Sequence, residues 1–153
     1  MIKIRKFLLS DLEKVMNVEK VSFPKNRAYP RSYFEKYFKR YPQGFIVAED
    51  RGKILGYAIG EMRNRVPAKR VGEFVSLAVK PEFRKKGIGR ELTNFLINLF
   101  EKEGVKNISL NVRAENKIAI SFYKNLGFKI VKRVKKYYRN GDDAYIMNEK
   151  LGA

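Results

Sequence analysis

A run of apolar and β-branched residues, Phe74-Val75-Ser76-Leu77-Ala78-Val79, is followed closely by Arg84-Lys85-Lys86-Gly87-Ile88-Gly89 and then by apolar residues at helical spacing. No other feature of the chain constrains its folding as tightly. A strand must give way to a helix across a short basic turn that holds two glycines. Glycine lets the backbone pass close to a bulky anion. The first turn of the new helix aims its unpaired N–H groups and the positive end of its dipole at the same place. Three cations precede that turn. The pattern describes an anion cradle at a strand-to-helix junction, suited to a phosphate or diphosphate.

The rest of the chain can support such a turn. Its 153 residues suit one domain, residues 1–153. A domain of that size buries about 68–70% of its unfolded surface, enough for a core without cross-links. The hydrophobic share of 44% and aromatic share of 13% belong to a folded globule. There is no cysteine and no histidine. Disulfides, Cys/His zinc sites, thiol nucleophiles and imidazole-based triads are therefore excluded, and no metal is expected. No basic leader with an apolar segment opens the chain, and no apolar run approaches 18 residues, so the expectation is a soluble cytoplasmic protein with no membrane association. The net charge of +18, from 34 Lys and Arg against 16 Asp and Glu, favours anionic partners. Nucleotide cofactors, RNA and acidic surfaces all answer that description.

Apolar periodicity and turn residues predict the order β-α-α-β-β-β-α-β-α-β-β, a mixed α/β (α+β) domain whose central sheet carries helices on both faces. A strand is expected over 2–7. A helix to about residue 21 should start with Ser10 and Glu13 as a capping box. Phe23-Pro24 ends it, and a second helix covers 31–41. Residues 44–48 and 53–59 read as a hairpin turning at Asp50-Arg51-Gly52. A loop follows at 63–68, then a central strand over 73–79. The third helix carries Ile88, Leu92, Phe95, Leu96, Leu99 and Phe100 on one face and stops at Gly104. After a strand at 107–112, Asn116 caps a fourth helix that Gly127 stops. Residues 128–138 and 143–151 form a closing hairpin around Asn140-Gly141, a type I′ turn signal.

Three stretches, in order, resemble one family. Arg84-x-x-Gly87-x-Gly89 after a strand resembles the acetyl-CoA pyrophosphate loop of the GNAT acetyltransferases. Asn116-x-x-Ala119-Ile120-x-Phe122-Tyr123-x-x-Leu126-Gly127-Phe128 is similar to that family's next helix. Tyr137-Tyr138-x-x-Gly141-Asp142-Asp143-Ala144-Tyr145-x-Met147 resembles the tail shared by N-terminal (Nα) protein acetyltransferases and the RimI-type ribosomal-protein alanine acetyltransferases. The resemblance covers essentially the whole chain and implies the GNAT acyl-CoA N-acyltransferase fold.

It also implies roles. Acetyl-CoA would be the co-substrate, its diphosphate held by the backbone amides of Lys86, Gly87, Ile88, Gly89 and Arg90 with help from Arg84 and Lys85. The strand carrying Leu77 and Val79 would splay from its neighbour and pair with the pantetheine arm. Asn116 would touch the cofactor as well as cap its helix. Tyr123 would protonate the departing thiolate; the alternative is a core aromatic. Phe23, Pro24 and Tyr29 would wall the pocket for the acceptor's first side chain, and Tyr137 and Tyr138 would bond its backbone. Related enzymes carry Glu or His where this chain has Asn111, which cannot take a proton. The general base implied is then Glu73, acting directly or through water.

The acceptor implied is the N-terminal α-amine of a protein or peptide, attacking in a ternary complex. An α-amine has a pKa near ~8 against about 10.4 for lysine, so roughly a tenth of it is already neutral at neutral pH. Two other readings stay open at this point. One keeps the fold and changes the acceptor to a small-molecule amine. The other is an RNA- or ribosome-binding module with a vestigial acetyl-CoA site, motivated by the +18 charge. Ribosome or RNA association beside catalysis is also compatible with that charge.

Overall fold

The structure is a computed structural model and describes residues 1–23, 27–63 and 70–151. Its elements are β1 (Lys3–Lys6), α1 (Leu12–Ser22), α2 (Arg31–Arg40), β2 (Phe45–Asp50), β3 (Lys53–Arg63), β4 (Val71–Val79), α3 (Ile88–Lys102), β5 (Asn107–Arg113), α4 (Lys117–Asn125), β6 (Lys129–Val134) and β7 (Ala144–Lys150). The element order matches the one read from periodicity. The strands follow the order β1-β2-β3-β4-β5-β7-β6 in a mixed sheet. β4 and β5 run parallel, while β1–β2, β2–β3, β5–β7 and β6–β7 pair antiparallel. The loop expected at 63–68 lies outside the described residues, except for Arg63, which ends β3.

The chain forms two compact units, and β4 contributes to both. The first comprises residues 1–61 and 75–102. Here β2 is buried on both faces, which is why Phe45-Ile46-Val47-Ala48 is an unbroken apolar run. Phe45 and Val47 share a core cluster with Leu12, Val15 and Val18 of α1 and Phe34 of α2. Alternation along the strand turns Ile46 and Ala48 to the other side. α3 packs against β1 and β2 and buries Ile88, Leu92, Leu96 and Phe100 of the stripe read from its spacing, while Phe95 and Leu99 are half-buried at its margin. The second unit comprises residues 62–74 and 103–153. Ile108, Leu110 and Val112 alternate inward along β5, and Phe74, Phe128 and Met147 are buried in the same unit. β6 is the outer strand and is exposed almost throughout, so Lys132 and Arg133 belong to a solvated face.

Two local expectations are corrected. Ser10 does not cap α1: it lies in a one-turn 3-10 helix, Leu9–Asp11, and makes no capping bond. Asp11 takes over this end of the helix. Its carboxylate accepts from the Leu8 N–H at 2.8 Å and pairs with both Arg5 terminal nitrogens at 2.8 and 3.0 Å. A buried two-point ion pair outcompetes a hydroxyl for the same turn. The second correction concerns the closing hairpin. β6 ends at Val134, and the Gly141 N–H bonds the Tyr138 carbonyl at 2.9 Å. Asn140 does not take a positive φ, which a type I′ turn requires. Its side-chain Oδ1 instead accepts from the Asp142 N–H and from Arg113. The turn at Asp50-Arg51-Gly52 does form as expected, with φ of 52° at Arg51 and 81° at Gly52.

Two predictions follow from this packing. A Cβ on buried Gly44 would lie 2.1 Å from the Gly60 carbonyl oxygen and 2.6 Å from a Tyr41 ring carbon. Gly44→Ala should therefore lower stability by about 1–3 kcal/mol, read as a lower urea midpoint at unchanged slope. The Arg5 guanidinium, opposed by burial, holds the Asp11 carboxyl below its ordinary pKa. The unfolded chain then binds more protons between the two pKa values, so this stabilisation is complete above ~4 and fades as pH falls through the folded value. The stability gap between wild type and Asp11→Asn should narrow over the same range in urea titrations.

Candidate active site

The anion loop belongs to the first unit. After β4 the chain makes a 3-10 turn, Pro81–Phe83, and enters α3 at Ile88. Lys85 has φ 62° and Gly87 φ 84°, so left-handed residues alternate with ordinary ones. That alternation turns successive N–H groups toward a common centre, a concavity that binds anions. A Cβ on Gly87 would meet nothing within 4 Å, so the glycine is needed for its φ, not for space. Arg84, Lys85, Lys86, Gly87 and Arg90 are exposed and Gly89 is half-buried. Ile88 is buried, so its side chain anchors the loop while its backbone faces the turn. The Arg84 Nε donates to the Val79 carbonyl at 2.9 Å and ties the loop to the strand end. Lys86 Nζ sits 5.6 Å from the Phe83 ring centroid. These residues suit a diphosphate: convergent amides, a helix N-terminus and flanking cations.

β4 leads into this loop. Its pairing with β5 runs from Val71↔Asn107 to Phe74↔Leu110, and β4 then continues to Val79. Leu77 is half-buried and Val79 buried. The Val79 carbonyl already accepts from Arg84 Nε and, at 3.4 Å, from Ser22 Oγ.

The candidate acid lies in the second unit. Tyr123 packs among Phe74, Phe122 and Phe128, with ring centroids 6.5, 5.2 and 5.7 Å away. Burial pushes its phenol above the ordinary tyrosine pKa, so it stays protonated through the physiological range. Asn116 caps α4, its Oδ1 accepting from the Ala119 N–H at 3.1 Å. Glu73 is mostly buried and ion-paired with Arg63. It faces Ser109 in the β4–β5 register.

The tail residues are also held. The Asn111 Nδ2 donates to the Tyr137 hydroxyl at 2.9 Å. The Arg113 guanidinium lies 3.9 Å above the Tyr138 ring and bonds Asp142 at 2.7 Å. The two tyrosine rings meet edge-on at 5.0 Å. In the first unit, half-buried Phe23 packs against the core cluster, and exposed Tyr29 stacks on Tyr33 at 3.8 Å. Pro24 lies outside the described residues. Among those residues, no group of three acidic, Cys or His side chains could hold a metal ion, and no helix is long and apolar enough to cross a membrane.

Sequence reasoning missed three contributors. Arg63 fixes the Glu73 carboxylate, Arg113 clamps the tail, and Asn111 orients Tyr137. The first two give no local signal, because their partners lie far along the chain. Asn111 stood out only as a departure from related enzymes.

Comparison with known proteins agrees with this arrangement. Residues 12–128 match the acetyltransferase (GNAT) family. An N-alpha-acetyltransferase of Sulfolobus acidocaldarius is 35% identical, over 97% of this chain and 92% of that protein. The structure of Ard1 from Thermoplasma volcanium superposes with a TM-score of 0.90 at 26% identity, covering 99% of each chain. Naa20 from Chaetomium thermophilum, solved with a bisubstrate analogue, gives 0.84 at 29% identity, over 97% of this chain and 86% of that one. A strand-to-helix anion loop, the expected element order and a match spanning most of the sequence lead to one assignment: the chain belongs to the GNAT family of acetyltransferases.

Proposed function

We propose that residues 1–153 act as one acetyl-CoA-dependent acetyltransferase whose acceptor is the N-terminal α-amine of a protein or peptide. The observation that carries the cofactor reading is the alternation of left-handed φ at Lys85 and Gly87 just before α3. The acceptor reading is supported by the N-alpha-acetyltransferase relative and by the bisubstrate analogue bound to Naa20. The small-molecule reading has no such support.

Acetyl-CoA supplies an activated thioester; the remaining chemistry falls to the chain. The amides from Lys86 to Arg90 bind the diphosphate, with Arg84 and Lys85 adding charge. The backbone at Leu77 and Val79 pairs with the pantetheine arm along the part of β4 beyond the β5 ladder. An amide there would polarise the thioester carbonyl. Tyr123 delivers its proton to the departing sulfur, a role that its raised pKa allows because the phenol remains an acid at working pH. Glu73 accepts the amine proton, directly or through water. Arg63 holds that carboxylate in place.

Asn111 is incompatible with proton transfer but suits orientation. Because its amide donates to Tyr137 Oη, the Tyr137 hydroxyl proton can be given to an acceptor carbonyl. Tyr138, under the Arg113 guanidinium, supports the neighbouring position. Phe23, Pro24 and Tyr29 wall the pocket for the first side chain. The +18 charge favours ribosomal RNA as an added contact near emerging chains, and a cytoplasmic location agrees with that.

Mass spectrometry of peptides incubated with acetyl-CoA should find the acetyl group on the α-amine. Turnover per enzyme should rise with pH toward ~8 as that amine deprotonates. Modification confined to lysine side chains or to free small amines would overturn the acceptor assignment. Tyr123→Phe keeps the ring packing and removes the proton. It should lower kcat by about 10²–10⁴-fold with little change in either KM or in melting temperature. Unchanged kcat would remove Tyr123 from the chemistry.

A further inference from the structure

One buried acid lies outside the roles proposed above. Glu19, in α1, is 0% exposed. Burying a carboxylate is costly unless donors compensate. Burial raises its pKa, opposed by the donors it does have. Tyr57 Oη donates to Oε1 at 2.5 Å, and the backbone N–H of Tyr29 donates to Oε2 at 2.9 Å. Tyr57 Oη also meets Ser76 Oγ at 2.8 Å. The single phenolic proton of Tyr57 is committed to the carboxylate, so Ser76 is the donor. The Tyr33 ring lies flat on that of Tyr29, 3.8 Å away with planes 2° apart.

The hydrogen-bond chain therefore runs from the Tyr29 backbone to α1, to β3 and to β4. All of its members belong to the first unit. Glu19 contributes a second bond from its backbone: its carbonyl accepts from the Phe23 N–H at 3.1 Å. One residue thus holds both described flanks of the α1–α2 connection, Phe23 with its carbonyl and Tyr29 with its carboxylate. Ser76, at the far end, immediately precedes Leu77 on β4.

We propose that Glu19 is a positioning residue that determines acceptor specificity, by fixing the backbone at Phe23 and Tyr29 so that these side chains present a preset wall to the acceptor's first residue. The assignment rests on the reading that Phe23 and Tyr29 face the acceptor peptide. Preorganisation is the physical gain: a wall already ordered costs nothing to order on binding. An apolar residue at position 19 would fill the same space but take the carboxylate acceptor from the Tyr29 N–H, while the Tyr57 hydroxyl could turn its proton to Ser76.

The test is Glu19→Gln, assayed with peptides that differ in their first residue. Glutamine can still accept from Tyr57 with its oxygen, but it then turns its NH2 toward the Tyr29 N–H, donor against donor. Peptide KM should rise about tenfold, the change expected for ~1.4 kcal/mol, and discrimination among first residues should narrow. The kcat and the acetyl-CoA KM should change by less than about threefold, because the chemistry and the diphosphate loop are untouched. Tyr57→Phe, which cuts the link to Ser76 and keeps the ring, should move peptide KM the same way by less. A purely structural role would lower the melting temperature and leave peptide KM and selectivity where they were, and that result overturns the assignment. Hydrogen exchange on the wild-type chain needs no variant: the Tyr29 amide should be protected, and rapid exchange there also overturns it. Wild-type turnover in the same assay separates the two claims. Its absence removes the Nα reading and this assignment with it. Its presence beside an unchanged Glu19→Gln peptide KM removes this assignment alone.

Discussion

β4 is a single backbone with two obligations, and the rest of the molecule is arranged around them. From Val71 to Phe74 it pairs with β5 and serves the second unit; from Val75 to Val79 it serves the first and runs into the anion loop. Hydrogen-bonding groups of a strand cannot be left unmet without cost. The loop depends on the strand in turn, because Arg84 reaches back to the Val79 carbonyl and sets where the turn begins.

The proposed chemistry asks little of the protein as a base and more as an acid. An α-amine near pKa ~8 needs only modest help to lose its proton. Departing thiolate is better served by a nearby proton, and Tyr123 sits in an aromatic pocket that keeps its phenol protonated. At position 111 the chain carries an amide, and its Nδ2 donates to the Tyr137 hydroxyl and holds that ring. Arg113, two residues on, performs a parallel task for Tyr138 and the Asn140–Asp142 turn.

In both units polar groups hold aromatic ones. Rings supply area and rigid shape at small entropic cost, but a ring alone slides. Here Tyr29 is held through its backbone by Glu19, Tyr137 through its hydroxyl by Asn111, and Tyr138 through its face by Arg113. Each polar partner sits on a helix or strand and each ring on a connecting segment. Variable connections are thereby given the precision of the elements beside them.

Much of this was legible in the order of residues. The period of apolar positions located the helices and strands because a face must be buried at 3.6 or 2.0 residues per repeat. Lys85 and Gly87 sit in a turn that their neighbours announce, since strand end, cations, glycines and helix start are contiguous. Asn116 as a cap, and Arg51 and Gly52 as a turn, are equally local, and both were read correctly. What local order could not reveal was competition and partnership at a distance. Ser10 lost its capping role to Asp11 because Arg5 was within reach in space. The Asn140-Gly141 signal gave way because Arg113 and Asp142 claimed the asparagine. No local sequence signal marks Glu19 as buried; its partners Tyr29, Tyr57 and, through Tyr57, Ser76 come from other elements. Nearest-neighbour chemistry is written in the sequence; the burial that strengthens an ion pair or a hydrogen-bond circuit comes only when distant segments exclude water together, and that is what the tertiary structure decided.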